Sequence, residues 1–321
     1  MVVSVLLAGS LLAGCGGDRD PIRADDLAYA STGPRPAVRT IDANLGPVGF
    51  VSADAGALVW SAPRGGGLRL LARPRPAAPV RELVRRFQRR PKEGSDEVPR
   101  AFDTGRGPDG RPVVVWTQGC DRKAPCVVRS VAAVGGSTRV IARLPRTART
   151  PVAIDGDRLA YVASDAGCDE LRLLTLPNGT DRRLGRGTCG SVEQIDFQES
   201  TVVAAALTEP PDGQDSFPSE AWLSDTRDGG VRIVQDEDAG YSGPDRIVGV
   251  TLDSETLYTV RFRVDGSSQV TRIPLDGGSP SLARIYAELG VLTYDRGQTF
   301  AVDTFDEGRR SALVEYKTSR P

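Results

Sequence analysis

The 321-residue chain contains no histidine, and its single methionine is Met1. The first absence excludes Ser-His-Asp and Cys-His catalysis and every histidine-ligated zinc, iron or haem site. The second removes methionine as a ligand for copper or haem. A catalytic mechanism in this chain would have to use carboxylates, Lys, Arg, Tyr, Ser or a cofactor.

Aromatic residues and excess charge are also scarce. Aromatic side chains make up 6% of the chain, and 41 Lys and Arg balance 42 Asp and Glu to a net charge of −1. A balanced chain gives no reason to expect a nucleic acid as partner. The hydrophobic share of 39% and the 36 Gly and 23 Pro suit a core of many thin layers separated by frequent turns.

Catalytic sequence motifs are missing as well. The chain has no Gly-x-Ser-x-Gly elbow of a serine hydrolase, no Ser-x-Asp-x-Gly-x-Thr-Trp box and no phosphate-binding loop. We therefore expect a protein that is not an enzyme, with no cofactor and no metal site, acting as a monomer.

The N-terminus carries the most specific motif. An apolar run from Val2 to Leu12 ends in Leu12-Ala13-Gly14-Cys15, and the run is too short to cross a bilayer of about 30 Å. The motif resembles the bacterial lipoprotein signal, which implies that Cys15 becomes the lipid-modified first residue and anchors the chain to the outer face of the cell membrane. No Lys or Arg precedes the run. An ordinary secretory signal, or an N-terminal strand with an incidental cysteine, are the alternatives.

This motif predicts a domain organisation. Residues 1–14 are expected to be a signal peptide, residues 15–36 a lipidated flexible tether rich in Gly, Asp, Arg and Pro, and residues 37–321 the folded domain.

Four cysteines remain once Cys15 is assigned to a lipid. An even number outside the cytosol predicts two disulfides, for which three connectivities exist. The local pairs Cys120–Cys126 and Cys168–Cys189 are the most economical of these. A redox or metal role is the alternative, but no Cys-x-x-Cys pair supports it.

Short apolar strands separated by Asp-Gly or Gly-Gly turns recur along the chain. The clearest unit, residues 151–184, predicts a four-stranded meander, and residues 247–278 repeat its order. The second strands of six such units stand about 42 to 57 residues apart. They are centred on residues 57–60, 112–116, 158–163, 202–206, 256–260 and 299–302. A four-stranded repeat of this length is typical of a β-propeller blade, and six second strands predict six blades.

The best units resemble the TolB-like family of propeller repeats. Pro151, Asp155-Gly156, Leu159-Ala160-Tyr161 and Leu275-Asp276-Gly277-Gly278 carry the resemblance, which implies a WD-repeat-like six-bladed propeller, often used as a protein-docking scaffold.

The last repeat supplies three strands, ending with residues 311–316. Residues 37–41 could add the fourth and close the ring, which would cover otherwise exposed strand edges. A pair of β-sandwiches is the alternative all-β architecture.

Several segments are candidate sites. Residues 73–92 are strongly basic, and Val80, Leu83, Val84 and Phe87 have helical spacing. This segment is interpreted either as an insert that contacts anionic lipid or cell-wall polymer, or as a solvated loop or helix.

Acidic residues could bind calcium through their oxygens, but connector loops are the favoured interpretation. They lie at Asp236-Glu237-Asp238, Asp245, Asp212, Asp215 and Glu220.

Trp60, Trp116 and Trp222 are assigned to packing between blades rather than to a binding cleft. Asn178-Gly179-Thr180 matches a glycosylation acceptor but is interpreted as a hairpin turn.

The favoured function is a membrane-anchored, non-catalytic binding scaffold for a protein or a cell-envelope polymer. One alternative is a propeller hydrolase or lyase that uses carboxylates around a central channel, with or without calcium. Another is a carbohydrate-binding module. Three or more carboxylates converging on the channel would favour the enzyme, whereas a plugged channel would favour the scaffold.

Overall fold

A computed structural model describes residues 37–42, 50–74, 78–89, 102–120, 126–177, 179–208, 218–237, 246–262, 268–285, 288–295, 298–305 and 310–317. The expected signal peptide and tether, with Cys15, lie outside these ranges. Throughout the described part the regular structure is β-strand, and no helix in it is long and apolar enough to cross a membrane.

The strands follow one another at short intervals. The first twelve are β1 (Ala37–Asp42), β2 (Val51–Asp54), β3 (Ala57–Arg64), β4 (Gly67–Arg73), β5 (Arg81–Arg89), β6 (Phe102–Arg106), β7 (Pro112–Gln118), β8 (Val127–Ala132), β9 (Arg139–Arg143), β10 (Ala148–Asp155), β11 (Arg158–Asp165) and β12 (Cys168–Thr175). The second twelve are β13 (Asp181–Gly185), β14 (Gly190–Gln198), β15 (Thr201–Thr208), β16 (Ser219–Asp225), β17 (Arg232–Glu237), β18 (Arg246–Leu252), β19 (Thr256–Phe262), β20 (Ser268–Pro274), β21 (Ser281–Ile285), β22 (Glu288–Asp295), β23 (Gln298–Phe305) and β24 (Arg310–Lys317).

The sheets are antiparallel meanders of sequential strands. β2–β5, β14–β17 and β18–β21 each form a four-stranded sheet, and β22, β23 and β24 form another whose outer strand is β1. β1 pairs antiparallel with β24, with Ala37 opposite Tyr316 and Thr40 opposite Val314. The meanders β6–β9 and β10–β13 join through one parallel contact between β6 and β10 into an eight-stranded sheet.

Turn chemistry explains the tight first hairpins. β10 and β11 are joined at Asp155 and Arg158, and Gly156 between them has a φ of 65°. The turn between β2 and β3 contains Gly56 with a φ of 80°. Glycine adopts this left-handed conformation without a steric penalty, so the Asp-Gly pattern predicted from the sequence marks real turns.

The first strands of the meanders lie side by side. β2 contacts β6, β6 contacts β10, β10 contacts β14, β14 contacts β18, β18 contacts β22, and β22 contacts β2. These six strands therefore surround a common centre, and the later strands of each meander lie progressively further out.

Hydrophobic cores fill the spaces between neighbouring sheets. Trp60 packs with Phe300 and Leu313 between the first and last sheets, while Trp116 and Trp222 lie in two other inter-sheet cores. All three tryptophans are at most 3% exposed. The assignment of these residues to packing between sheets is confirmed.

Two disulfides stiffen the loops at one end of the sheets. Cys120 is bonded to Cys126 across the β7–β8 connection, and Cys168 is bonded to Cys189 in the β13–β14 connection. Because β6 and β10 run parallel, the β7–β8 and β11–β12 connections emerge at the same end. We call this end, with residues 119, 120, 126, 165–168 and 186–190, the disulfide face.

The helical prediction for the basic segment is wrong. Residues 81–89 form the outer strand β5, in which Leu83 and Phe87 are buried. Leu68 pairs with Gln88 and Leu70 with Val84, so β5 has two more residues than β4 between these pairs. Residues four apart share a face in a strand as they do in a helix, so the spacing of Leu83 and Phe87 fits both. The bulge adds the two consecutive exposed residues Arg85 and Arg86, which break strict alternation.

We predict that Gly105→Ala destabilises the protein by about 1–3 kcal/mol, because a β-carbon there would lie 1.9 Å from the Ile154 carbonyl oxygen. Chemical denaturation measures the change. The matched control is Gly66→Ala, where nothing lies within 4 Å of the added carbon and stability should hardly change. Equal stability of the two variants would contradict the close approach of β6 to β10.

Candidate functional site

A small cavity lies at the centre, between the first strands of the meanders. The cavity is lined by Phe50 and by residues of the six strands β2, β6, β10, β14, β18 and β22. Its polar lining consists of Ser52, Asp103, Gln194, Asp196, Thr251 and Thr293. Polar and acidic side chains from five different meanders therefore meet at this cavity.

The cavity is narrow. The centre of a water-sized sphere can move through about 20 Å³ of it, which is room for one or two water molecules. Binding sites for small organic molecules are larger, at about 300–1,000 Å³. The central cavity therefore has room for water but not for a small organic substrate.

Sequence position explains why polar groups meet there. Four first strands carry a polar residue two positions before the residue that begins the hairpin turn: Ser52 before Asp54, Asp196 before Gln198, Thr251 before Asp253 and Thr293 before Asp295. Residues two apart in a strand share a face. The repeat therefore places one polar side chain per meander at a similar height around the centre, with Ala153 as the exception in β10.

Asp103 joins three successive first strands. Its Oδ1 accepts a hydrogen bond from the Ser52 hydroxyl (3.1 Å), and its Oδ2 accepts one from the Ile154 backbone N–H (3.2 Å). The Ser52 oxygen in turn accepts the Thr104 backbone N–H (2.8 Å). Both carboxylate oxygens of Asp103 are thus occupied in holding β2, β6 and β10 together.

Asp196 and Thr293 form equivalent connections. Asp196 Oδ2 accepts the Leu252 backbone N–H (2.7 Å) and the Thr251 hydroxyl (3.0 Å), and its Oδ1 accepts the Phe197 N–H (2.7 Å). Thr293 accepts the Ala53 backbone N–H (2.9 Å), which links β22 to β2. Polar side chains of one first strand therefore pair with the backbone of the next.

Burial controls the protonation of these carboxyls. Desolvation raises the pKa of Asp103 well above its usual value, and the negative charges of Asp196 and Asp54 raise it further, while the Ile154 and Ser52 hydrogen bonds oppose this. Desolvation also raises the pKa of Asp196, against three hydrogen bonds, with the charge of Asp155 adding to the rise. The pair resembles the carboxyl dyads in which one group holds a proton.

Of the acidic residues chosen from the sequence, those that the structure describes do not line this cavity. Glu220 lies in β16 rather than in a loop, where it is buried and accepts the Trp222 indole N–H (2.6 Å) and the Thr188 backbone N–H (3.1 Å). Asp236 and Glu237 belong to strand β17 and not to a connector. Asp212, Asp215, Asp238 and Asp245 lie outside the described residues. Within the described ranges no group of three or more Cys, Asp or Glu side chains is arranged to hold a metal ion.

The hairpin turn expected at Asn178-Gly179 is described in part, because Asn178 lies outside the described residues. The Gly179 backbone N–H donates to the Thr175 carbonyl oxygen (2.8 Å), so the chain does reverse between β12 and β13.

Sequence reasoning missed Asp103 and Asp196, the central carboxyls. A signal was present, because Ser52, Thr251 and Thr293 each stand two residues before the turn aspartate of their repeat. Asp196 likewise stands two residues before Gln198, so an alignment of the repeats would have placed it at the position of Ser52, Thr251 and Thr293.

Solved structures resemble the chain along most of its length. A puromycin-hydrolysing peptidase of Mycobacterium tuberculosis matches with a TM-score of 0.53 and 12% identity over 91% of this chain and 55% of that one. A protein of unknown function from Bacteroides thetaiotaomicron matches with a TM-score of 0.53 and 12% identity, covering 92% of this chain and 74% of the other. TolB from Acinetobacter baumannii matches with a TM-score of 0.49 and 10% identity over 81% of this chain and 64% of TolB.

The chain has a β-propeller fold. The meanders are arranged around one centre, and the peptidase and the Bacteroides protein match this arrangement over 91% and 92% of the chain, so the propeller prediction is confirmed. At 10–12% identity the likeness concerns the fold alone, and the chain spans less than two thirds of the TolB and peptidase chains. No protein-family model matches the sequence, and no curated protein matches it.

We predict that acid stabilises this propeller through its buried carboxyls. Since the folded pKa of Asp103 lies above the unfolded value near 4, the folded state holds a proton that the unfolded state has lost. The free energy of unfolding should therefore fall as pH rises from about 4 through the folded pKa. Asp103→Asn should flatten this fall.

The measurement is the melting temperature at a series of pH values from 5 to 8. The control is Asp165→Asn, a change at an exposed turn residue, which should keep the slope of the parent protein. An Asp103→Asn variant with the parental slope would contradict the role of this carboxyl.

Proposed function

We propose that this protein is an exported, lipid-anchored β-propeller that binds a protein or a cell-envelope polymer through loops at one face and catalyses no reaction. The main support is that the central carboxylates are already engaged in hydrogen bonds within the protein. Both oxygens of Asp103 and Oδ2 of Asp196 accept hydrogen bonds from neighbouring first strands, Oδ1 of Asp196 accepts the Phe197 N–H of its own strand, and the space between them fits water. A centre used in this way favours a scaffold over a reaction chamber.

We further propose six blades in a closed ring. Counting each meander as one blade, with β1 completing the last, gives six sheets of four strands. The contact between β22 and β2 and the β1–β24 pairing support closure by the two ends of the chain. Closure of this kind leaves fewer free strand edges to aggregate.

The disulfide face is the proposed binding face. Cys120–Cys126 and Cys168–Cys189 restrain loops of the second and third meanders and of the connection to the fourth. Restrained loops lose less conformational entropy when they bind a partner, so they make better docking sites than free loops. Asp165, Arg186 and Thr188 are exposed there.

The enzyme alternative has one observation in its favour. Burial raises the pKa of both Asp103 and Asp196, and the negative charge of Asp196 raises the pKa of Asp103 further, as happens in catalytic carboxyl pairs. Their engagement with backbone N–H groups argues against a free nucleophile or base. For the carbohydrate-binding alternative, the three tryptophans that would stack on a sugar are buried in the inter-sheet cores.

We predict that cells fed labelled palmitate incorporate it into the chain, and that Cys15→Ser abolishes the label. Fractionation should place the parent with the membrane and the variant in the soluble extracytoplasmic fraction. Cys120→Ser with Cys126→Ser is the control, since it removes cysteines but leaves the motif intact. Labelling that survives Cys15→Ser would refute the anchor.

We expect the binding partner to be captured from the disulfide face. A photo-crosslinking amino acid at Asp165, Arg186 or Thr188 should trap one partner in intact cells. The same group at Asp109, Arg111 or Asp228, which are exposed on turns of the opposite face, should trap little of it. Capture from the opposite face alone, or turnover of a substrate by the purified chain that Asp103→Asn abolishes, would overturn the proposal.

A further inference from the structure

The near-zero net charge conceals two oppositely charged halves. Residues 37–190 contain 26 Lys and Arg against 15 Asp and Glu, whereas residues 191–321 contain 12 against 23. The first half holds the first three meanders and the second half holds the others. Charge asymmetry of this size along a chain is a signal of interaction with a charged surface.

The acidic side chains of the positive half leave its outer strands β5 and β9 positive. Asp103, Asp155, Asp169 and Glu170 are each at most 9% exposed. The exposed carboxylates of Asp109, Asp157, Asp165 and Asp181 belong to other strands and turns. Glu82 is the acidic residue of β5, and it pairs with Arg64 and with Arg69, while β9 has none.

The arginines, in contrast, lie outside. Arg81, Arg85 and Arg86 of β5 and Arg139 and Arg143 of β9 are exposed on the outer strands of the first two meanders. We call these five residues the basic rim. Among the residues that the structure describes, no carboxylate forms an ion pair with Arg85, Arg86, Arg139 or Arg143.

Apolar side chains stand among these arginines. Val80, Val134 and Val140 are 45%, 51% and 44% exposed, and they are the exposed large hydrophobic residues of the described part of the chain. Val80 adjoins Arg81, and Val140 adjoins Arg139. The Arg81 guanidinium donates to the Val134 carbonyl oxygen (3.0 Å), which brings the start of β5 against the β8–β9 turn.

We propose that the basic rim docks the propeller sideways onto an anionic lipid surface, with these valines entering the headgroup region. Clustered arginines attract anionic headgroups, and neighbouring apolar side chains add favourable burial at the interface. The exposed valines favour a lipid surface over a soluble polyanion as the ligand, because apolar side chains would contribute little to binding a polyanion.

The position of the anchor agrees with this orientation. β1, which follows the proposed tether, is the outer strand of the last sheet, and Ile41 packs in the core that this sheet shares with the first meander. The lipid on Cys15 would therefore join the propeller beside the meander that carries β5. This inference rests on the proposed lipid anchor, but the rim itself is tested without the lipid.

The test uses the full chain with Cys15→Ser, so that no lipid attaches, and vesicles of phosphatidylcholine with or without phosphatidylglycerol. We expect tighter binding to the anionic vesicles, weakening as salt is added. The variant Arg85→Gln, Arg86→Gln, Arg139→Gln should bind roughly a hundredfold more weakly, at about fivefold for each of the three arginines. All variants share residues 1–36, so binding by the apolar N-terminus is common to them.

The matched control is Arg227→Gln, Arg232→Gln, Arg246→Gln, which removes the same charge from exposed positions in the negative half. It should bind as the parent does, and thermal denaturation should show both variants folded. Equal loss in both variants, binding independent of lipid charge, or binding to soluble polyphosphate without binding to vesicles would overturn the proposal. Palmitate labelling reports on the anchor separately, so the two failures are distinguishable.

Discussion

The hydrogen bonds between first strands are the constraint on which the structure depends. In most of the meanders the first strand pairs fully on one side only, so its inner edge carries backbone N–H groups that need acceptors, and burying them unpaired would be costly. Asp103, Asp196, Ser52 and Thr293 supply these acceptors from the preceding strand. A sheet edge that would otherwise bind another chain is thereby used to hold the meanders together.

This constraint decides what the centre can do. Because the carboxylates serve the backbone, their charge is desolvated and crowded, which raises the pKa of Asp103 and Asp196. Because these carboxylates are engaged with the backbone, we assign the proposed interactions to the loops and the outer strands. Binding at the disulfide face and docking through the basic rim are compatible, since one uses the connections and the other uses the outer strands.

Much of the architecture was predictable from local pattern. The six second strands inferred from the repeat correspond to β3, β7, β11, β15, β19 and β23, because alternating apolar residues between turn signals depend on near neighbours. The helix predicted for β5 is wrong, since Leu83 and Phe87, four apart, fit a strand as well as a helix, and a bulge against β4 breaks the alternation that would have identified the strand. A bulge depends on the partner strand, which a single segment does not reveal.

The sequence by itself determined the strand content, the spacing of the repeats and the local cysteine pairs, all of which depend on residues close together in the chain. It also specified the lipidation motif at Cys15 as a prediction. Only the tertiary structure decided that Asp103 lies beside Asp196, and that Arg86 and Arg139 share one rim. These pairs come from different meanders, and their proximity follows from how the sheets pack around the centre rather than from any local preference.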